Sequence, residues 1–139
     1  MDAIHYIRNR NNGLYIGINN KTNDALNTMD VILTDKPYEW EFNEKNKNKI
    51  IKDSQTGGYI IQKYRGWRPD TSNILVMNKN SYDICLKPIL WEYDNFLLST
   101  VIYGIQYNLC INNDNHVILK RENLNLPVHQ DWELIPKSN

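Results

Sequence analysis

The sequence predicts an all-β chain built from three degenerate four-stranded repeats, and three observations predict it. First, a Trp followed by an acid and an apolar or aromatic residue recurs three times. It appears as Tyr38-Glu39-Trp40-Glu41-Phe42, Leu90-Trp91-Glu92-Tyr93 and Gln130-Asp131-Trp132-Glu133-Leu134, with the tryptophans 51 and 41 residues apart. That spacing is the length of one supersecondary unit. Second, short runs rich in β-branched and aromatic residues fill the chain, bounded by Asn, Asp, Gly and Lys clusters. Third, no window sustains the i, i+3, i+4, i+7 apolar spacing of an amphipathic helix over three turns, so almost no helix is expected.

The runs are Leu14-Tyr15-Ile16-Gly17-Ile18, Val31-Ile32-Leu33-Thr34, Tyr59-Ile60-Ile61, Ile74-Leu75-Val76, Thr100-Val101-Ile102-Tyr103, Leu109-Cys110-Ile111 and Val117-Ile118-Leu119. They can be superimposed by repeat. Ile7 is followed eight residues later by Tyr15-Ile16, Ile51 by Tyr59-Ile60, and Ile102 by Cys110-Ile111. The stretches between them, residues 9–13, 53–57 and 104–108, read as turns. A third apolar run follows in each unit, and a Trp strand closes it. Three units of four strands make a β-trefoil, a six-stranded barrel capped by three hairpins, with repeats at about 1–44, 45–95 and 96–139 of a single domain. One unit alone cannot bury its apolar face, whereas closure of three around a pseudo-threefold axis does so and removes most strand edges. Trp40, Trp91 and Trp132 are expected in the core near the barrel floor. An irregular β-sandwich is the competing fold.

The 139 residues suit one domain with a real core. The composition is globular, with 41% hydrophobic and 23% charged residues, and the formal net charge is zero. A generally basic nucleic-acid surface is therefore not expected, and Lys45, Lys47 and Lys49 read as a solvated turn. No apolar run approaches the roughly 18 residues that span a bilayer, so membrane insertion is not expected. Residues 1–6 have no basic segment leading into an apolar stretch, which points to a cytoplasmic chain, with a trimmed secreted form as the alternative. Cys85 and Cys110 lie in apolar strand-like runs and read as reduced core residues.

No catalytic motif is visible. His5, His116 and His129 are far apart, without a nearby Ser or Cys in a nucleophile context. No metal, phosphate or dinucleotide pattern occurs. The expectation is a binding protein rather than an enzyme, without cofactor or metal.

Two segments stand out as binding candidates. In residues 63–73 Trp67 has no place in the repeat, and exposed aromatics beside Arg are enriched at binding hot spots. Trp67 and Asp70 are thus candidates for stacking and hydrogen bonding to a sugar; the alternative is that Trp67 folds back over the barrel mouth. The long connection at residues 19–30 is rich in Asx residues that can rigidify it through side-chain to backbone hydrogen bonds. A pre-ordered loop with a basic residue suits a protease inhibitor, because ordering reduces the entropy lost on docking. Lys21, Asn23, Arg65 and Arg68 are the inhibitory-loop candidates. Arg68 is the poorest mimic of a scissile site because Pro69 follows it. A solvated loop without a partner is the alternative for each.

The first unit resembles the mushroom-type serine protease inhibitors. The resemblance is carried by Tyr15-Ile16-Gly17, the long loop through Asp24, Val31-Ile32-Leu33 and the stretch from Pro37 to Trp40, and by the ending Trp132-Glu133-Leu134-Ile135-Pro136. It covers the first and last thirds of the chain. It implies the trefoil fold and inhibition of a target protease through exposed loops. A weaker similarity is to ricin-type lectins. Their Gln-x-Trp occurs once, at Gln130-Asp131-Trp132, and Leu109-Cys110-Ile111-Asn112 resembles their Cys-Leu-Asp strand with Asn in place of Asp. This similarity implies a glycan partner, with Asn112, Asn113 and Asp114 as further sugar-binding candidates. Haemagglutinin components of bacterial toxin complexes are similar in the same degenerate way. The expected partner is thus a target protease or a glycan; the sequence does not specify an oligomeric state.

Overall fold

The computed structural model describes residues 3–19, 28–45, 47–61, 75–77, 88–111, 116–121 and 131–138. Among them are twelve strands and no helix. The first four are β1 (Ala3–Asn9), β2 (Tyr15–Ile18), β3 (Thr28–Thr34) and β4 (Trp40–Lys45). Next come β5 (Asn48–Asp53), β6 (Ile60–Ile61), β7 (Leu75–Met77) and β8 (Leu90–Asp94). The last four are β9 (Leu97–Ile102), β10 (Ile105–Ile111), β11 (Val117–Arg121) and β12 (Trp132–Pro136).

The first and fourth strands of each unit make a barrel. Antiparallel ladders join β1 to β4, β4 to β5, β5 to β8, β8 to β9 and β12 back to β1. The seam between β9 and β12 is closed by the Trp132 N–H, which donates to the Phe96 carbonyl at 2.7 Å. The inner pairs β2–β3, β6–β7 and β10–β11 are the cap hairpins. β3 pairs with β7, and an Ile32–His116 bridge ties the first cap hairpin to the third. This is the β-trefoil architecture expected from the repeats.

The core is built from equivalent positions. Trp40 stands opposite Asp53 and Trp132 opposite Asn9, while the Glu92–Ser99 pairing puts Trp91 opposite Thr100. Asn9, Asp53 and Thr100 are therefore counterparts, and all three are buried. Two residues earlier, on the same face of each strand, lie Ile7, Ile51 and Leu98, each 1% exposed. The three tryptophans are fully buried. The Trp40 and Trp132 indole N–H groups donate to the Ile16 and Leu109 carbonyls, both at 2.9 Å. Those carbonyls belong to cap hairpins, so these two rings sit where the barrel meets the cap that closes its end. The Trp91 indole N–H is buried without a partner among the described residues.

The third repeat corrects the register read from sequence. The counterpart of Ile7 is Leu98, not Ile102, and residues 104–108 are not a turn: β10 already begins at Ile105. Leu98, Thr100 and Ile102 are all buried, so the apolar alternation alone fits more than one register. Cys110 is buried in the core, as expected; Cys85 lies outside the described residues. No helix among the described residues is long and apolar enough to cross a membrane.

Candidate functional site

The first and second units close their barrel strand with the same five-residue turn. In each, the N–H of the first residue donates to the carbonyl five residues on, Asn9 to Leu14 and Asp53 to Gly58, both at 2.7 Å. The N–H of Gly13 or Gly57 returns to the carbonyl of Asn9 or Asp53. Both glycines sit at φ 76°, where a β-carbon is unfavourable. The buried Asx side chain organises each turn from within. Asn9 Oδ1 accepts the N–H groups of Asn11 and Asn12 at 2.9 and 3.2 Å. Asp53 accepts the Gln55 N–H at 3.1 Å, the Thr56 hydroxyl at 2.6 Å and the Tyr38 hydroxyl at 2.7 Å. Burial first, then the hydrogen bond to Asp53 and its charge, push the Tyr38 hydroxyl pKa far above its ordinary value.

The third unit has Thr100 at this position. Its hydroxyl donates sideways to the Leu90 carbonyl at 2.7 Å and organises no turn. Val101 and Ile102 follow where the other units have polar turn residues, and the chain continues as a regular ladder. Arg8 pairs with Tyr15 and Lys52 with Tyr59, but the equivalent Ser99 pairs with Asn108. The hairpin is thus two residues longer, and it turns at Tyr103-Gly104 with φ of 51° and 75°. Two successive positive φ values belong to the tight turn whose twist matches a β-hairpin.

This extension builds one wall of a cleft. Side chains at alternate positions share a face of the sheet. Leu90 and Glu92 of β8, Ser99 and Val101 of β9 and Gln106 of β10 all face outward. Glu92 lies opposite Ser99, and Val101 opposite Gln106. With Asn48 of β5 and Thr100 they line an open cleft of about 220 Å³ on the outer barrel wall. The cleft combines two apolar side chains, Leu90 and Val101, with the carboxylate of Glu92, the amides of Asn48 and Gln106 and the hydroxyl of Ser99. Polar groups that both donate and accept thus converge beside a small apolar surface, an arrangement that can hydrogen-bond a polar ligand.

The exposed apolar surface concentrates here. Among the described residues the exposed large hydrophobic side chains are Leu90, Phe96, Val101 and Tyr103, all within β8, β9 and their turns. The Arg10 guanidinium lies over the Phe96 ring at 4.0 Å, in a cluster with Asp131 and Glu133 across the seam between β9 and β12. Of the other three, Leu90 and Val101 line the cleft, and Tyr103 stands at the tip of the hairpin that carries Val101. Val101 is 62% exposed, Leu90 42%, and Tyr103, at the hairpin tip, 59%.

Lys21, Asn23, Arg65, Trp67, Arg68, Asp70, Asn112, Asn113 and Asp114 all fall outside the described residues. Sequence reasoning missed the cleft itself. Its signal was the replacement of Asn9 and Asp53 by Thr100, followed by apolar residues up to Gly104. Among the described residues no group of three or more His, Cys, Asp and Glu side chains could hold a metal ion.

No protein-family model and no curated protein matches the sequence. Solved structures do match. A salivary protein of Culex quinquefasciatus from the cysteine- and tryptophan-rich family is 19% identical, with TM-score 0.71, over 100% of this chain and 96% of that one. The designed threefold-symmetric protein ThreeFoil is 12% identical, with TM-score 0.63, over 95% and 97%. The Polyporus squamosus lectin, bound to a Neu5Ac-containing epitope, is 14% identical, with TM-score 0.63, over 95% of this chain and 48% of that chain. At these identities the likeness defines the fold: the chain is a β-trefoil.

Proposed function

We propose that this protein is a non-enzymatic carbohydrate-binding module that takes a sugar in the cleft of its third repeat. The observation that carries the reading is the presence of exposed Leu90 and Val101 in a cleft rimmed by Asn48, Glu92, Ser99 and Gln106. A pyranose ring presents C–H groups on a face and hydroxyls at its edge. It would set the C–H face on Leu90 and Val101 and share its hydroxyls with the polar rim. Amides both donate and accept, hydroxyls do the same, and a carboxylate accepts only, so the rim meets every hydrogen-bonding demand of a sugar hydroxyl. The lectin among the structural neighbours lends support by fold-level analogy.

A glycan array followed by calorimetric titration of the best hit tests this. The intact protein binds at least one glycan, and Gln106→Ala and Val101→Asp weaken that binding about tenfold or more while leaving the thermal melt within a few degrees. Binding that survives both changes, or no binding to any glycan, overturns the proposal. The protease-inhibitor alternative rests on Lys21, Asn23, Arg65 and Arg68. A titration against trypsin, chymotrypsin, subtilisin and papain separates the readings: stoichiometric loss of one enzyme's activity favours inhibition.

A further inference from the structure

We infer that Glu92 is the anchoring acceptor of this cleft and that the cleft takes neutral sugars while rejecting carboxylated and sulfated ones. The inference rests on the carbohydrate reading above and deepens it to a ligand class. Glu92 is the one charged side chain in the lining; no Lys, Arg or His contributes to it. It is exposed, and it stands on the outward face of β8 with Leu90 two residues before it and Ser99 opposite. Among the described residues it has no salt-bridge partner. Its carboxylate is therefore available to a ligand.

A carboxylate offers two acceptor oxygens and no donor. Two neighbouring sugar hydroxyls can both donate to it, and such charge-assisted bonds are about twice as strong as neutral ones. The amides of Asn48 and Gln106 and the hydroxyl of Ser99 can then serve the remaining hydroxyls. An anionic sugar meets the opposite situation. Its carboxylate or sulfate would enter a cleft whose lining holds one negative charge and no cation. Asp94, exposed and on the same face of β8, adds to that field, and Lys47 and Lys49, which flank Asn48 in the chain, oppose it from outside the lining. Like charges brought within a few ångströms repel, and this is how a site discriminates between ligands of the same shape.

The test pairs each neutral glycan on an array with its sialylated, sulfated or uronic counterpart, using the intact protein and Glu92→Gln. Glu92 is exposed, so the substitution leaves the fold standing, and a thermal melt verifies it. The expected pattern has three parts. The intact protein prefers the neutral member of each pair by at least about tenfold. Glu92→Gln loses about tenfold on neutral glycans, the size of one charge-assisted hydrogen bond. It also narrows or removes the discrimination against acidic ones. Equal binding of neutral and acidic glycans by the intact protein overturns this inference and leaves the carbohydrate reading standing. So does a Glu92→Gln protein that behaves like the intact one. Absence of binding to every glycan overturns the carbohydrate reading, and this inference with it.

Discussion

The first and third repeats begin alike and diverge at one residue. In each, a barrel strand buries an aliphatic side chain (Ile7 or Leu98) and two residues later a polar one (Asn9 or Thr100) opposite a core tryptophan. Asn9 can reach the N–H groups two and three residues on, so its chain folds into a five-residue turn. Thr100 turns its hydroxyl to the neighbouring strand, and its chain runs on as a hairpin two residues longer. The first solution buries its polar side chain in a compact barrel rim. The second lifts Val101, Tyr103 and Gln106 off the barrel and creates a cleft. The trefoil thus carries its candidate site where its own symmetry fails, with the two regular units serving as scaffold.

This contrast predicts a graded response at the three equivalent positions. Asp53→Ala removes a buried carboxylate that accepts from Tyr38, Thr56 and Gln55. It should destabilise the protein by about 3 kcal/mol, Asn9→Ala by about 2 kcal/mol, and Thr100→Ala by about 1 kcal/mol, the worth of one neutral hydrogen bond. Urea denaturation of the three variants measures this. Equal losses would show that the Asx side chains do not organise their turns.

The tryptophans sharpen the comparison from inside the core. Trp40→Phe and Trp132→Phe strip a donor from the buried Ile16 and Leu109 carbonyls. Trp91→Phe removes an N–H that has no partner among the described residues. Each of the first two should therefore cost about 1 kcal/mol more than the third, again by urea denaturation. Identical costs would mean that ring packing alone sets the stability of all three.

Tyr38 gives the comparison a pH dependence. Its hydroxyl titrates near 10.0 in an unfolded chain and well above that in the folded one. The folded state holds the proton more tightly, so the stabilisation is complete below about pH 10 and is lost as pH rises beyond it. Tyr38→Phe should lower stability by about 1–2 kcal/mol at neutral pH and make the loss of stability above pH 10 shallower. Thermal melts between pH 7 and about 11 test this. An unchanged alkaline slope would mean that Tyr38 is not held protonated by its burial and its bond to Asp53.

Much of the fold is legible in the sequence, because the features that specify it are short-range or repeated. The Trp motifs mark the closing strand of each unit, and Asn9 to Gly13 and Asp53 to Gly57 spell out turns that local hydrogen bonding alone can form. The third hairpin was misread for a physical reason. Thr100-Val101-Ile102-Tyr103-Gly104 keeps the Gly of the turn but has no Asx to organise it. Leu98, Thr100 and Ile102 alternate so regularly that the pattern does not fix which of them is the counterpart of Ile7. The cleft was invisible for a related reason. Asn48, Glu92, Ser99 and Gln106 are ordinary polar residues spread over 59 positions, and only the cross-strand register brings them together. Reading each segment by itself finds unusual loops but not surfaces assembled across strands.

The central claim is that the longer third hairpin is the binding site and is dispensable for the fold. The most direct test replaces residues 99–108 with the eight-residue sequence of residues 8–15, giving the third repeat the compact turn of the first. Binding to the best glycan from the array is then titrated beside a thermal melt. The account predicts a cooperative melt within a few degrees of the intact protein and loss of glycan binding. A folded graft that binds as tightly as the intact protein would contradict it and would move the site to another part of the trefoil.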